Sequence, residues 1–479
     1  MPTAVIAGGG VAGLASALAL SGAGYRIVVL EREAPPPAGP ATEAAGRWRR
    51  SLVPQSSHSH TLTSLGVRLL RAHAPEVLRA ALAAGAPLLD LTVARPPGTP
   101  DGAREGDDLV ALGCRRTTLE LLLYRAVCAV PDVTVRHGQA VGGLELSPAG
   151  DRVRAAVTGA GERVPADVVV DATGRAALSR GWLRAAGVPV ADDRISPSGL
   201  TGFTRFYRLL GDRWPGPLGR GNAAGDIWGH YAGVLHPGDD GTFSIALGVL
   251  PGDRAMAELR SEGGFTAVAR ATPGLEHWLD PEVSVPLSPV HAITSPPNAL
   301  RGTAMPHQRP VAGLFPVGDA ACVTNPLFGR GMSLALAHAF RLAALLTAHE
   351  DVDIAQRRSF ARMTRELFLP WYEQSAAADL ARIARWRAAI DGTAPPRSAG
   401  PPGAGPPTSE EIGAAARQDG LVWDALTRML MTLTTPAEML RTEGFTARVR
   451  AAAVPLDRAG EPARADLLRL LAGARGASV

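Results

Sequence analysis

The sequence predicts an α/β protein: a Rossmann-type dinucleotide-binding domain, a mainly antiparallel β-sheet domain and a C-terminal helical region. Three observations carry this. The opening stretch to Glu31 reads as strand, glycine turn, helix, strand and acid. Apolar runs from about Gly199 to Leu250 read as strands and enclose a hairpin signal. Beyond residue 350 the pattern is helical, broken once by a tract of proline and glycine.

Taken in order, Thr3 to Ala7 is an apolar first strand. Val11 to Ser21 places small and apolar residues at helical spacing, with Gly24 as the stop. Arg26 to Leu30 is the second strand. A proline-rich loop then leads through "RWRRSLVPQSSHSH" to a helix from about Thr61 to His73, and "CRRTTLELLLYRAVC" predicts another. "VTVRHGQAVGGLELS" and "RVRAAVT" predict a small antiparallel meander, and "ADVVVDATGR" a buried strand. "GLTGFTRFYRLL", "IWGHYAGVL" and "TFSIALGVL" predict three further strands, the last two joined by the turn "HPGDDG". "VAGLFPV" is a buried strand and "LALAHAFRLAALL" a helix, with "GDAACVTNPLFGRGMS" overlapping both. Gly392 to Pro407, "GTAPPRSAGPPGAGPP", cannot pack as regular structure and is expected to be a mobile loop. Helices resume at Ser409 and at the capping box Thr435-Pro436-Ala437-Glu438.

Composition excludes several classes. With 479 residues the chain has room for large buried cores. Its net charge of +4 is spread without a basic tract, which gives no case for nucleic acid. All 49 basic residues are arginine, so chemistry that needs an ε-amine is absent. Cys114, Cys128 and Cys322 form no C-x-x-C, and no disulfide scaffold or zinc ribbon is expected. No stretch reaches the length of a membrane-spanning helix. The expectation is a cytoplasmic protein without an integral membrane segment.

Gly8, Gly10 and Gly13 form G-x-G-x-x-G between a strand and a helix, with Glu31 closing the next strand. The first glycine allows the tight turn, and the second lets a pyrophosphate approach the backbone. The third lets helix and strand pack closely, and Glu31 would accept adenosine ribose hydroxyls. A second bare helix start lies at Gly329-Arg330-Gly331. Its N–H groups carry about half a positive charge, suited to an anion.

From Met1 to about Leu346 the chain resembles the flavoprotein monooxygenases of the p-hydroxybenzoate hydroxylase fold. The resemblance rests on the glycine fingerprint, on Gly318-Asp319 and on Pro326-x-x-Gly329-x-Gly331. It implies FAD as cofactor. Gly318 and Asp319 would hold the ribityl chain and pyrophosphate, and Gly331 and Met332 would open a helix aimed at the flavin pyrimidine. Arg32, Arg50, Arg116 and Asp171 are the further cofactor residues it implies. The chain departs from the family at Cys322, where His is usual, and at Arg330, where Gln is usual. Arg330 either strengthens the field on the flavin or faces a phosphate.

Asp171-Ala172-Thr173-Gly174 and "VPQSSHSH" look most like the polyether-type polyene epoxidase branch. That likeness implies transfer of one oxygen atom from a flavin C4a-hydroperoxide to a largely apolar natural-product-type substrate, by epoxidation or hydroxylation. NAD(P)H would be the ultimate electron donor, through a separate flavin reductase as partner or directly. An FAD-dependent reductase of isoprenoid-type double bonds and a non-catalytic flavin-binding protein are the alternatives. Related halogenases use a lysine, which this chain lacks.

His58, His60 and Arg330 are the catalytic candidates, and no metal site is expected, since the two histidines have no further ligands nearby. Phe203, Phe206, Trp228, Tyr231 and Phe243 are candidates to line the substrate pocket, although aromatics are favoured in sheets anyway. The expected domains are residues 1–75, 103–180 and 296–350 for FAD, 76–102 and 181–295 for substrate, and 351–479 for the helical region.

Overall fold

The computed structural model describes residues 1–97, 109–349, 351–394, 405–452 and 460–476. The chain begins with β1 (Thr3–Ala7), α1 (Val11–Gly22) and β2 (Arg26–Glu31), followed by α2 (Arg116–Cys128), β3 (Val133–His137) and β4 (Val168–Asp171). The middle third holds β5 (Thr201–Leu209), β6 (Ala224–Ile227), β7 (Ala232–Pro237), β8 (Thr242–Val249), β9 (Ser284–Pro286) and β10 (His291–Thr294). It returns through β11 (Leu314–Pro316) to α3 (Gly331–Thr347) and the long α4 (Ile354–Asp391).

The first sheet is parallel throughout, in the order β11-β4-β1-β2-β3. Its strands "TAVIA" and "VVVD" are apolar on consecutive residues because both faces are covered. On one face α1, α2 and α3 bury Leu14, Leu119 and Leu336 against Ile6 and Val170. On the other, Trp182 and Leu183 pack with Val5, Val169 and a three-stranded meander. The second sheet is antiparallel, in the order β6-β7-β8-β5-β9, with β10 pairing the other end of β5. Together with the C-terminal helices this is the α/β architecture the sequence predicts.

Two strand expectations need correction. Val133–His137 does not belong to the meander; it forms the edge of the parallel sheet beside β2. Its "VTVRH" pattern is compatible with either partner, and pairing is not written in the strand itself. "IWGHYAGVL" is not one strand, because the chain turns between Ile227 and Ala232 and pairs β6 with β7. Trp228 N–H donates to the Tyr231 carbonyl at 2.7 Å across that turn.

The helix α4 runs for 38 residues with Pro370 inside it. Asp353 caps its start by accepting from Gln356 N–H, and Gly392 ends it with φ +67°. The proline- and glycine-rich tract 392–407 begins there; its residues 395–404 lie outside the described residues. Both later helix starts carry full capping boxes, Thr408 with Glu411 and Thr435 with Glu438.

Candidate functional site

The carboxyl ends of β1, β4 and β11 point to one edge of the parallel sheet, where α1 and α3 begin. Gly8 takes φ +103°, and a Cβ there would meet the Ala172 carbonyl at 2.6 Å. A Cβ at Gly13 would lie 1.9 Å from the Gly8 carbonyl, so the turn and the helix it opens are locked together. Gly10, Gly329 and Gly331 are different: among the described residues, nothing beyond their own chain neighbours and helix backbone stands within 4 Å of where their Cβ would be. Both glycine helix starts therefore face open space, with their unpaired N–H groups available to an anion.

Acids and arginines frame this space. Glu31 is buried at the end of β2 and accepts from Gly9 N–H at 2.7 Å. Arg50, also buried, lies 3.5 Å from Glu31, 3.1 Å from Glu33 and 3.0 Å from Glu120. Arg116 lies 3.3 Å from Glu120, one helical turn on. The start of α2 is tied to the second sheet by Asp239, which accepts from Arg115 N–H at 2.8 Å and from the Thr118 hydroxyl at 2.9 Å. Arg32 is exposed beside this cluster. Asp171 is fully buried and accepts from Thr173 N–H, the Thr173 hydroxyl and Ser179 N–H, so it holds the 173–179 turn. Arg175, at that turn, lies 3.9 Å from Asp319. Burial, and Arg116 nearby, lower the Arg175 pKa, which Asp319 partly offsets. Sequence reasoning gave Arg175 no role.

Gly318 and Asp319 follow β11, and Gly318 takes φ +59°. Its N–H donates to Nδ1 of His338 at 3.3 Å, while Nε2 of the same ring meets the Thr364 hydroxyl at 2.9 Å. Burial pushes His338 down to about 3, so the ring is neutral and its Nδ1 is free to accept. This support was missed because a histidine on an apolar helix face reads as core.

The loop Pro326–Gly331 is held from behind. Asn325 N–H donates to Asn298 Oδ1 at 2.7 Å, and Asn325 Nδ2 donates to Asp379 of α4 at 2.7 Å. Asp379 also accepts from Asn298 Nδ2 at 2.7 Å and from Arg382 at 3.0 Å. Gly329 and Gly331 are exposed, while the Arg330 side chain between them is 1% exposed. Its guanidinium carbon lies 4.6 Å from the Phe328 ring and 4.7 Å from the Trp371 ring. Burial lowers its pKa to about 9.

One face of the second sheet meets the segment that carries His58 and His60. His58 Nδ1 bonds the Thr204 hydroxyl at 2.9 Å, and Ser59 donates to Ser244 at 2.8 Å. Side chains alternate along strands, so Thr204, Phe206 and Ser244 share the face that His58 and Ser59 meet. Phe203 and Tyr207, on the other side of the strand, pack into the core with Leu247 and Phe243. Of the five aromatic candidates, Phe206 meets the site face, and with Phe243 it borders a cavity of about 10 Å³ beside His60. That is room for about one water molecule. Phe203 and Tyr231 are core residues, the latter bonded to Thr272. Trp228 packs against that core, 6.5 Å from Tyr231.

His60 Nδ1 bonds the His58 carbonyl at 2.8 Å, an acceptor, which puts the proton on Nδ1 and leaves Nε2 free. Burial first, then the neighbouring charges, push His58 to about 4 and His60 to about 3. Both are neutral at physiological pH. Among the described residues no three His, Cys, Asp or Glu side chains are grouped to hold a metal.

The open glycine cradle, the acid at the end of β2 and Asp319 fit the adenosine, pyrophosphate and ribityl parts of FAD. Residues 3–89 match the family described as FAD dependent oxidoreductase. The chain is 27% identical over 415 residues to protein Rv3254 of Mycobacterium tuberculosis (strain ATCC 25618 / H37Rv), covering 79% of this chain and 80% of that protein. Among solved structures, the flavin-dependent brominase Bmp2 superposes with TM-score 0.61 at 15% identity, over 94% of this chain and 97% of its own. PqsL of Pseudomonas aeruginosa, a probable FAD-dependent monooxygenase, gives 0.57 at 15% identity, over 81% and 99%. The p-nitrophenol 4-monooxygenase PnpA of Pseudomonas putida DLL-E4 gives 0.56 at 19% identity, over 80% and 89%. The chain thus shares its fold with these flavin-dependent enzymes, and its residues 3–89 match the FAD dependent oxidoreductase family. No described helix is long and apolar enough to cross a membrane.

Proposed function

We propose that this protein is a flavin-dependent monooxygenase acting by epoxidation or hydroxylation on a largely apolar natural-product-type substrate. The observation that carries the reading is the exposed helix start at Gly329–Gly331, which opens the helix packed beside the one that starts at the Gly8–Gly13 turn. FAD would be held by Glu31 at the ribose, by the two glycine turns with Arg50 and Arg116 at the pyrophosphate, and by Asp319 at the ribityl chain. Reduced flavin supplies the activation of molecular oxygen.

The chain's own residues bind, orient and exclude water. The first N–H groups of α3 and the positive end of its dipole favour an anion in front of Gly331 and Met332. Phe206 and the buried face around it keep that side dry. His58 and His60 contribute neutral rings, because bases with pKa values near 4 and 3 take up almost no proton at pH 7. The Asp171-Ala172-Thr173-Gly174 strand end and "VPQSSHSH" support the polyene-epoxidase branch and a separate flavin reductase.

The test has two stages. Anaerobic FAD-loaded protein is mixed with NADPH, or with NADH and a flavin reductase, and the oxidised flavin colour is followed. Bleaching only with the reductase is expected; rapid bleaching by NADPH alone would make the enzyme self-sufficient. The reduced protein is then given labelled oxygen and a panel of apolar polyenes. Product carrying one labelled oxygen supports the reading. A saturated, unlabelled product moves the protein to double-bond reduction, and absence of turnover leaves a flavin-binding protein.

A further inference from the structure

The helix α2 opens on two arginines, Arg115 and Arg116, at the end where the helix dipole is already positive. Neither a side-chain cap nor an acid in its first turn offsets them. The compensating charge comes from the second sheet. Asp239, fully buried in the β7–β8 hairpin, accepts from Arg115 Nε at 3.1 Å and from its Nη2 at 2.6 Å. With Arg115 N–H and the Thr118 hydroxyl also bound to it, this carboxylate holds the whole first turn. The hairpin is shaped for that task. Asp240 and Gly241 take left-handed φ of +54° and +63°, while Thr242 N–H and its hydroxyl donate to the Asp239 carbonyl at 3.0 and 2.6 Å. A Cβ at Gly113 would lie 2.9 Å from the Pro237 carbonyl, and one at Gly85 3.0 Å from Asp240 N. The tip is thus seated closely against two glycines ahead of α2.

From that first turn a run of charged contacts leads to the dinucleotide turn. Arg116 meets Glu120, Glu120 meets Arg50, Arg50 meets Glu31, and Glu31 accepts from Gly9 N–H. Arg115 is committed to Asp239, whereas Arg116 belongs to this run. A guanidinium serves a phosphate well only when its backbone is fixed, and the backbone of Arg116 lies in the turn that Asp239 holds. We propose that Asp239 is a positioning residue for the dinucleotide site, which through the first turn of α2 sets Arg116 for the diphosphate. The hairpin of the second sheet thereby becomes part of cofactor binding. The proposal rests on the FAD reading above and adds to it a residue outside the glycine fingerprint. Two opposed effects decide the sign of its test. The charge of Asp239 repels a diphosphate, so removing that charge alone would tighten binding. Losing the bidentate hold on Arg115 frees the turn and weakens binding. Asp239 is buried and paired with Arg115, which cancels most of its field outside the pair, so the second effect wins.

ADP, which carries the adenosine and diphosphate of FAD, and FAD itself are titrated into cofactor-free protein by calorimetry. A chain that binds neither fails the dinucleotide reading before this question is reached. One that binds ADP but not FAD fails only the flavin part of it. Asp239→Asn keeps the size and one acceptor, and should weaken whichever ligand binds by about tenfold. Thr118→Val removes one bond to Asp239 without touching charge and should weaken it by about threefold; it also serves if the asparagine variant fails to fold. Arg116→Gln should weaken it by at least about tenfold. In the Arg116→Gln background, Asp239→Asn and Thr118→Val should each change affinity by less than about twofold, because their effect runs through Arg116. A merely structural role for Asp239 would weaken binding equally in both backgrounds, and that result would overturn the proposal. So would unchanged or tighter binding in Asp239→Asn and Thr118→Val, or an Arg116→Gln variant that binds like the parent.

Discussion

The cradle has two glycine turns, and they are built in opposite ways. The turn at Gly8–Gly13 is held by backbone against backbone: added Cβ atoms would meet the Ala172 and Gly8 carbonyls at 2.6 and 1.9 Å. The turn at Gly329–Gly331 touches nothing where its Cβ atoms would stand, and side chains hold it from behind. Those side chains come from elsewhere, with Asn298 before the turn and Asp379 on α4 after it. The first turn is rigid because of what its residues lack. The second depends on what distant residues supply, and its support can be removed without touching it.

Several substitutions would break or sharpen that contrast. Gly13→Ala should have the largest effect, because a methyl 1.9 Å from a carbonyl oxygen cannot be accommodated without moving α1. The expected result is loss of soluble FAD-retaining protein, read by expression and by flavin content after gel filtration. Asp379→Ala takes the carboxylate from the buried Arg382, which keeps only the Ser198 and Gly199 carbonyls, and the acceptor from Asn298 Nδ2; it should cost about 3–5 kcal/mol, read by denaturant unfolding. Unlike Gly13→Ala, it leaves the first turn intact. If both variants release FAD equally while remaining folded, the two turns are not independently supported.

Acid should act on the Gly318 turn, which follows β11, through His338. Its pKa is lowered from 6.5 to about 3 in the folded chain, so the unfolded chain takes up the proton first. That contribution to stability is complete above about pH 6.5 and declines as the pH falls towards 3. His338→Asn should flatten the decline over that window in unfolding experiments at stepped pH. An unchanged slope would remove His338 from the support of Gly318. The smallest effect on stability belongs to Gly331→Ala, expected within about 0.5 kcal/mol of the parent in FAD-free protein. FAD affinity should nevertheless fall about tenfold, as the new methyl enters the cradle. Calorimetry of FAD-free and FAD-loaded protein separates the two.

This contrast also marks what could be read from the sequence. The first turn, its flanking strands and Glu31 were legible because local spacing dictates them. The two-sheet architecture followed from patterning, as did both ends of α3. The placement of Val133–His137 was not legible, since a strand's partner lies outside the strand. Nor was the split at Ile227–Ala232, where apolar residues run through a turn. Phe203 and Phe206 looked equivalent until His58 met Thr204 and fixed which face of β5 turns to the cofactor domain. Asn298, Asn325 and Asp379 went unnoticed, because a buried polar network is assembled from residues far apart in the chain. Arg330 was visible as an oddity, yet that no described residue accepts from its guanidinium is a property of the packed structure alone.

The long α4 also has a consequence for how the protein is made. Gly13 leaves the ribosome early, but Asp379 and Trp371, which back the second turn, emerge more than 350 residues later. At usual elongation rates that interval is on the order of tens of seconds. Once Ala172 has emerged to close the first turn, the nascent chain holds that turn complete and the Gly329–Gly331 loop still unsupported. Cofactor captured before α4 docks would be held at its adenosine end only, so final closure of the cradle is an event of late synthesis.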